Sequence, residues 1–181
     1  MNYQVDQCVV FCKTREQWGG LSNMAGGYPI TVGGHAFRTS EALYQAMRFP
    51  DHPEIQRAIV DQKSPMAAKM TAKAHLNLSR PDWEVGQQVR LAVMQWALAL
   101  KWTQNPAFRE LLQSTGGKMI VELSRRDMFW GAVTTRMEGM LVGDNMLGNM
   151  LVILREESRS HPPDITPAWS RPFLFGVSLS D

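Results

Sequence analysis

Several patterns that usually announce a protein's chemistry are scarce in this 181-residue chain. Cysteine appears twice, at Cys8 and Cys12, and the four histidines are scattered, so no zinc-ligand spacing exists and both thiols are read as structural. No metal is expected. No apolar run is long enough to cross a membrane: Leu91 to Leu100 comes nearest, and Gln95 interrupts it. The N-terminus lacks a basic segment leading into an apolar core and a small-residue cleavage site, which makes a cytoplasmic location the expectation, with no membrane partner. Neither sign of charge dominates. A net charge of +2 is too small to argue for nucleic-acid binding by itself, although it would not repel a phosphate-bearing substrate. No glycine fingerprint follows a strand, so no dinucleotide redox cofactor, nor any other cofactor, is expected. Heptads, internal repeats and low-complexity tracts are also missing, which disfavours a helical interaction domain.

What is present is an ordinary globular composition, 44% hydrophobic and 20% charged, at a length suited to one domain with a substantial core. The segment Arg38 to Phe49 reads as a helix with its polar groups gathered on one side: Glu41, Tyr44, Gln45 and Arg48 fall at i, i+3, i+4 and i+7. Ala42, Leu43, Ala46, Met47 and Phe49 fill the rest of the circumference, so most of this helix is expected to be covered. Two accounts of Glu41 follow. It lies just past the candidate caps Thr39 and Ser40, where a helix dipole favours any carboxylate. Alternatively Glu41, Gln45 and Arg48 line a ligand pocket, with Glu41 held ionised by the helix start.

Along the chain, Cys8 to Phe11 is a candidate strand, and Tyr28 to Phe37 alternates around Gly33-Gly34 like a hairpin. A glycine-rich loop from Trp18 to Gly27 precedes it. Helices are expected over Glu54 to Val60, over Ser64 to about His75 behind a cap and proline, over Trp83 to Trp102, and from Asn105-Pro106 to Gln113. Lys118 to Ser124 alternates like a strand, and a last helix runs from about Asn145 to Glu157. Gly148 inside it suggests close packing or close approach of a ligand. The expected fold is α+β, a mainly helical single domain over residues 1–157 with a small N-terminal β-hairpin or sheet. A proline-rich tail at 158–181 follows, with Trp169, Phe173, Leu174 and Phe175 available to dock it on the body.

Five blocks in one order carry a resemblance. They are Leu21-Ser22-Asn23; Thr39-Ser40-Glu41 with Tyr44-Gln45-Ala46; Lys101 with Gln104-Asn105; Asp127 with Trp130-Gly131; and Gly143 with Asn145, Leu147-Gly148 and Arg155. From about Phe11 to Arg155 the chain resembles the YbiA-like, or NADAR, family. Arg48-Phe49 stands where a lysine and an aromatic are usual, and Trp102 where phenylalanine is usual; both keep the charge or aromatic character.

The resemblance implies a YbiA-like fold and cleavage of the N-glycosidic bond between ribose C1 and a base nitrogen. The substrate would be an ADP-ribosylated base such as guanine, or a ribosylaminopyrimidine phosphate of riboflavin synthesis; the partner would be a free nucleotide, an ADP-ribose-containing substrate or ADP-ribosylated nucleic acid. A non-catalytic ADP-ribose-binding module is the other functional class. Such cleavage places positive charge on the sugar, which calls for a carboxylate near C1 and a proton donor for the departing base. Glu41 and Asp127 are the carboxylates in matching blocks. Lys101 offers an amine that can attack C1 and form an imine, provided that a desolvated site keeps it neutral. Direct attack by water, with Lys101 holding an anion, is the other route. Trp130 would stack on a base or cover the ribose, beside Gly131. Asn23, Gln45 and Asn145 would bond ribose hydroxyls or the base edge, with Gly148 allowing close approach, and Arg48 or Arg155 would face phosphate, Arg90 being a weaker candidate. Lys101, Asn145 and Arg155 also have ordinary accounts as a C-terminal dipole charge, a helix cap and a last-turn charge.

Overall fold

The computed structural model describes residues 1–180. In chain order the elements are β1 (Asn2–Gln4), β2 (Cys8–Phe11), β3 (Ile30–Val32), β4 (His35–Phe37), α1 (Ser40–Ala46), α2 (Pro53–Val60), α3 (Pro65–Ala74) and α4 (Gln88–Gln104). There follow α5 (Pro106–Ser114), β5 (Met119–Glu122), β6 (Val133–Thr134), β7 (Met140–Val142), α6 (Met146–Glu157), β8 (Phe173–Leu174) and β9 (Val177–Ser178). Among the described residues the architecture is mixed α/β, six α-helices with small sheets. The chain divides into two compact units: the first joins Met1–Ser22 to Pro106–Pro163, the second joins Asn23–Asn105 to the segment from Asp164 onward.

In the first unit, β2 pairs in parallel with β5, and β1 pairs antiparallel with β7, which also pairs with β6. The expected N-terminal sheet is therefore not local: its strands find partners more than a hundred residues downstream. Short strands carry too little periodicity to reveal such pairings. Tyr3, Val121, Ala132 and Leu141 form an apolar cluster around these strands. Helix α6 packs against β5, and the contact is close because a Cβ at Gly148 would clash with the Ile120 carbonyl oxygen.

In the second unit, α1 packs against α2, α3 and α4, and all seven of its residues are buried. Thr39 is its cap, its hydroxyl accepting the Ala42 N–H at 3.2 Å. The β3–β4 hairpin turns at Gly33-Gly34, both at positive φ. Helix α4 starts at Gln88, not at Trp83, because Gly86 and Gln87 both adopt left-handed backbone (φ 64° and 60°) that no α-helix can contain. Beyond Asp164 the chain forms a β8–β9 hairpin where the sequence suggested only extended structure. Three side chains of the second unit fasten it: Trp96 donates to Ile165 O at 2.7 Å, Gln56 donates to Phe173 O at 2.9 Å, and Arg80 donates to Ser170 O at 2.6 Å. Among the described residues no helix is long and apolar enough to cross a membrane.

Candidate active site

The loop that enters the second unit positions the start of α1. The Asn23 carbonyl accepts the Glu41 N–H at 3.0 Å and the Ser40 hydroxyl at 3.1 Å, satisfying groups that a helix start leaves open. The Asn23 side chain then turns to the Glu41 carboxylate, donating to Oε2 at 2.6 Å, while Gln45 donates to Oε1 at 2.9 Å from one turn along α1. Asn23, Glu41 and Gln45 thus form one buried cluster. Glu41 is only 4% exposed, and burial raises its carboxyl above the ordinary range, against the pull of the Lys69 charge and the Gln45 hydrogen bond. The ionised form that the sequence suggested is thus not the favoured one: burial makes Glu41 easier to protonate.

Lys101 belongs to the same unit. The Asn23 amide also lies 4.0 Å from the Met94 sulfur on α4, and Lys101 follows Met94 by seven residues, on the same face of that helix about 10 Å along. Lys101 is 0% exposed, and its ammonium stands 4.8 Å from the centre of the Tyr28 ring. Burial pushes the amine down from 10.5 to about 7, so it is poised between its charged and neutral forms near neutrality. Asn105 fixes the backbone there, its amide donating to Lys101 O and to Pro29 O at 3.0 Å each.

Arg48 closes the α1 stripe. Its guanidinium meets Ser79 and Glu84 and lies 5.7 Å from the centre of the Trp83 ring, which in turn packs at 4.9 Å on Tyr44. Burial, then the Glu41 charge, push the Tyr44 hydroxyl well above its usual range, with Arg90 and Arg48 pulling against them.

The other candidates lie in the first unit. Asp127 is exposed in the loop after β5, and its Oδ1 accepts the N–H groups of Phe129 at 3.0 Å and Trp130 at 2.9 Å. This carboxylate shapes the turn that carries Trp130, a half-buried indole set edge-on to Phe129 at 5.1 Å. Gly131 admits the Glu122 carbonyl where a Cβ would stand. Asn145 precedes α6 in a left-handed conformation (φ 52°), but its side chain does not cap the helix. It clamps β5 instead, donating to Ile120 O at 2.8 Å and accepting the Glu122 N–H at 3.0 Å. Arg155, expected to face a phosphate or else to be an ordinary last-turn charge, is 1% exposed and donates to the Thr115 hydroxyl at 2.7 Å, Lys118 O at 2.8 Å and the Glu156 carboxylate at 2.8 Å. Among the described residues no group of three histidine, cysteine or acidic side chains could hold a metal ion.

The chain matches the profile of the NADAR domain over residues 10–159. It belongs to the NADAR family. This NADAR chain is 34% identical over 155 residues to the N-glycosidase YbiA of Escherichia coli, with 84% of this chain and 89% of that protein covered. It is 31% identical over 161 residues to a riboflavin biosynthesis protein of Vibrio vulnificus, covering 88% of this chain and 41% of that longer protein. The solution structure of E. coli YbiA superposes with a TM-score of 0.68 at 31% identity, over 86% of this chain and 90% of that one. The NADAR fold here also brings in residues that sequence reasoning passed over: Tyr28 against the Lys101 ammonium, Lys69 acting on Glu41, and Glu84 between two arginines. Nothing in a lone tyrosine, an α3 lysine or a turn glutamate marks them out in a sequence.

Proposed function

We propose that this chain is a cytoplasmic N-glycosidase that hydrolyses the bond between ribose C1 and a base nitrogen, with ADP-ribosylated guanine, free or within nucleic acid, as the substrate class. The observation that carries the proposal is Lys101: a lysine fully buried on the α4 face shared with Met94, its amine brought down to about 7. Burial disfavours the ammonium and leaves a neutral amine within reach near pH 7, and a neutral amine is a nucleophile.

In this mechanism the Lys101 amine bonds to C1 as the bond from C1 to the ring oxygen breaks, and the proton that the amine gives up passes to that oxygen. The bond from C1 to the base nitrogen then breaks, the base leaves with a proton from Glu41, and an imine links C1 to Lys101. Water adds to C1, the lysine departs, and the free sugar recloses. Glu41, with its raised carboxyl and two amide donors, suits a group that both gives and takes a proton. Asn23, Gln45 and Arg48 would hold the polar groups of the base or sugar. Asn145, Gly148 and Arg155 would contribute by setting the α6–β5 frame.

Borohydride added during turnover tests the imine. Reduction should leave a sugar adduct on Lys101 and inactivate the enzyme; an active enzyme that never traps, together with substantial activity in Lys101→Ala, would sink the covalent route in favour of direct water attack. The kinship to a riboflavin biosynthesis protein favours a second substrate reading, a ribosylaminopyrimidine phosphate. Incubating the protein with that compound and with an ADP-ribosylated guanine oligonucleotide, followed by mass analysis of released bases, separates the two. Tight binding of ADP-ribose by calorimetry with no base released from either would instead identify a binding module.

A further inference from the structure

Arg48, at the end of the α1 stripe, and Arg90, in the first turn of α4, both reach the carboxylate of Glu84. Arg48 Nη2 donates to Oε1 at 3.0 Å and Arg90 Nη1 donates to Oε2 at 3.0 Å. The two arginine side chains are 15% and 16% exposed, whereas Glu84 is 62% exposed. The cations are built into the second unit, and the acid lies over them from outside. Arg48 is fixed further by its Nε donating to the Ser79 hydroxyl at 2.7 Å and by the Trp83 ring beneath it.

The backbone on the N-terminal side of Glu84 is held without that carboxylate's help. Arg80 N–H donates to Arg48 O at 3.0 Å, and the Arg80 guanidinium grips Asp82 through Nε at 2.6 Å and Nη2 at 2.9 Å. Glu84 can therefore turn into solvent by side-chain rotation while the turn stays in place. An exposed carboxylate is a weak partner for arginine, because solvent and salt screen the pair and the long side chain loses freedom. A phosphate offers more charge and more acceptor oxygens to the same two forks and makes stronger charge-assisted bonds. The position suits such a group. Arg48 lies in the turn just past α1, and the Tyr44 hydroxyl on that helix is acted on by the charges of Glu41, Arg90 and Arg48 alike, so the two arginines share their surroundings with the candidate carboxylate.

We propose that Arg48 and Arg90 form the subsite for the substrate's phosphate and that Glu84 is its resident counter-anion, displaced when a phosphate ester or diphosphate binds. The subsite deepens, and rests on, the N-glycosidase reading in calling that ligand a substrate. An unphosphorylated riboside leaves Glu84 in place and gains nothing from the arginines, so the device selects for phosphorylated ribosides.

The test is calorimetric binding of inorganic phosphate and pyrophosphate to the full chain, with Glu84→Gln, Arg90→Gln, Arg90→Lys and the exposed control Glu138→Gln, each checked for folding by circular dichroism. Glu84→Gln should tighten phosphate binding ~3- to 10-fold, Arg90→Gln should abolish it, Arg90→Lys should keep only part of it, and Glu138→Gln should leave it unchanged. Ribose 5-phosphate against ADP-ribose then distinguishes a monophosphate from a diphosphate occupant. Unchanged or weaker phosphate binding in Glu84→Gln, or equal tightening in Glu138→Gln, overturns the subsite. Base release assayed alongside keeps the two readings apart. Phosphate binding that follows these predictions without release from any ribosylated base upholds the subsite and defeats the glycosidase, whereas turnover whose KM ignores Glu84 and Arg90 does the reverse.

Discussion

A lysine near the end of a helix is ordinarily a surface charge that complements the dipole, and in the sequence only the block that Lys101 forms with Gln104-Asn105 sets it apart. Its chemistry comes from burial, a tertiary property, and burial sets its pH behaviour. The folded-state amine titrates near 7 and the unfolded one near 10.5, so between those values the unfolded chain binds the extra proton and stability rises with pH. Lys101→Met should therefore stabilise the protein by a few kcal/mol at pH 6 and by little at pH 10, read from urea midpoints at both values, while abolishing base release. Activity of the parent, as kcat/KM, should climb through pH 7 as the amine loses its proton; a profile flat from pH 6 to 9 would contradict the nucleophile role. Glu41 has the opposite sign. Its raised carboxyl means that stability falls as pH rises above the unfolded value of 4.5. Glu41→Gln should remove that fall and lower kcat by about 100-fold or more, as loss of a proton-transfer group does. The gathering of Glu41 and Gln45 was legible from their i, i+4 spacing, and the involvement of Asn23 from the order of the blocks. The roles of Asn145 and Arg155 in tying β5 and the turn before it were not, because a polar residue at a helix end looks the same whether it faces water or a strand.

At the level of elements, helices with a capping hydroxyl or a proline at the start were visible because caps act locally: α1, α3 and α5 begin within a residue or two of their signals. The start of α4 was misplaced by the left-handed pair Gly86-Gln87, since the apolar residues from Trp83 continue a helical pattern that the backbone does not follow. The strands β1, β6, β7, β8 and β9, of two or three residues each, are too short to leave a periodic trace, and the pairing of β1 with β7 joins segments far apart in sequence. Packing of α6 on β5 hinges on Gly148. Gly148→Ala gains about 1 kcal/mol of helix propensity but drives a methyl into the Ile120 carbonyl. A net loss of about 2 kcal/mol or more is expected, seen as a drop in thermal midpoint and in the yield of folded protein. Asn145→Ala removes both hydrogen bonds to β5 and should cost a similar amount.

Across the whole molecule, the chain begins one unit, builds most of the second, returns to complete the first, and ends in the second. Deleting residues 164–181 should strip the second unit of Trp169 and Leu174 and of the acceptors used by Trp96, Gln56 and Arg80. The thermal midpoint should fall by roughly 10 °C or more for a chain of this size; an unchanged midpoint would make the tail an accessory. Such interleaving could not be read from composition, because each segment looks equally globular. The parallel pairing of β2 with β5 also has a temporal side. During synthesis Cys8-Val9-Val10-Phe11 leaves the ribosome about a hundred residues ahead of Met119–Glu122, a wait of roughly 5 to 20 seconds at cellular elongation rates. Over that interval an apolar strand edge stands open in the nascent chain, so chaperones that cover it during synthesis should raise the yield of folded protein.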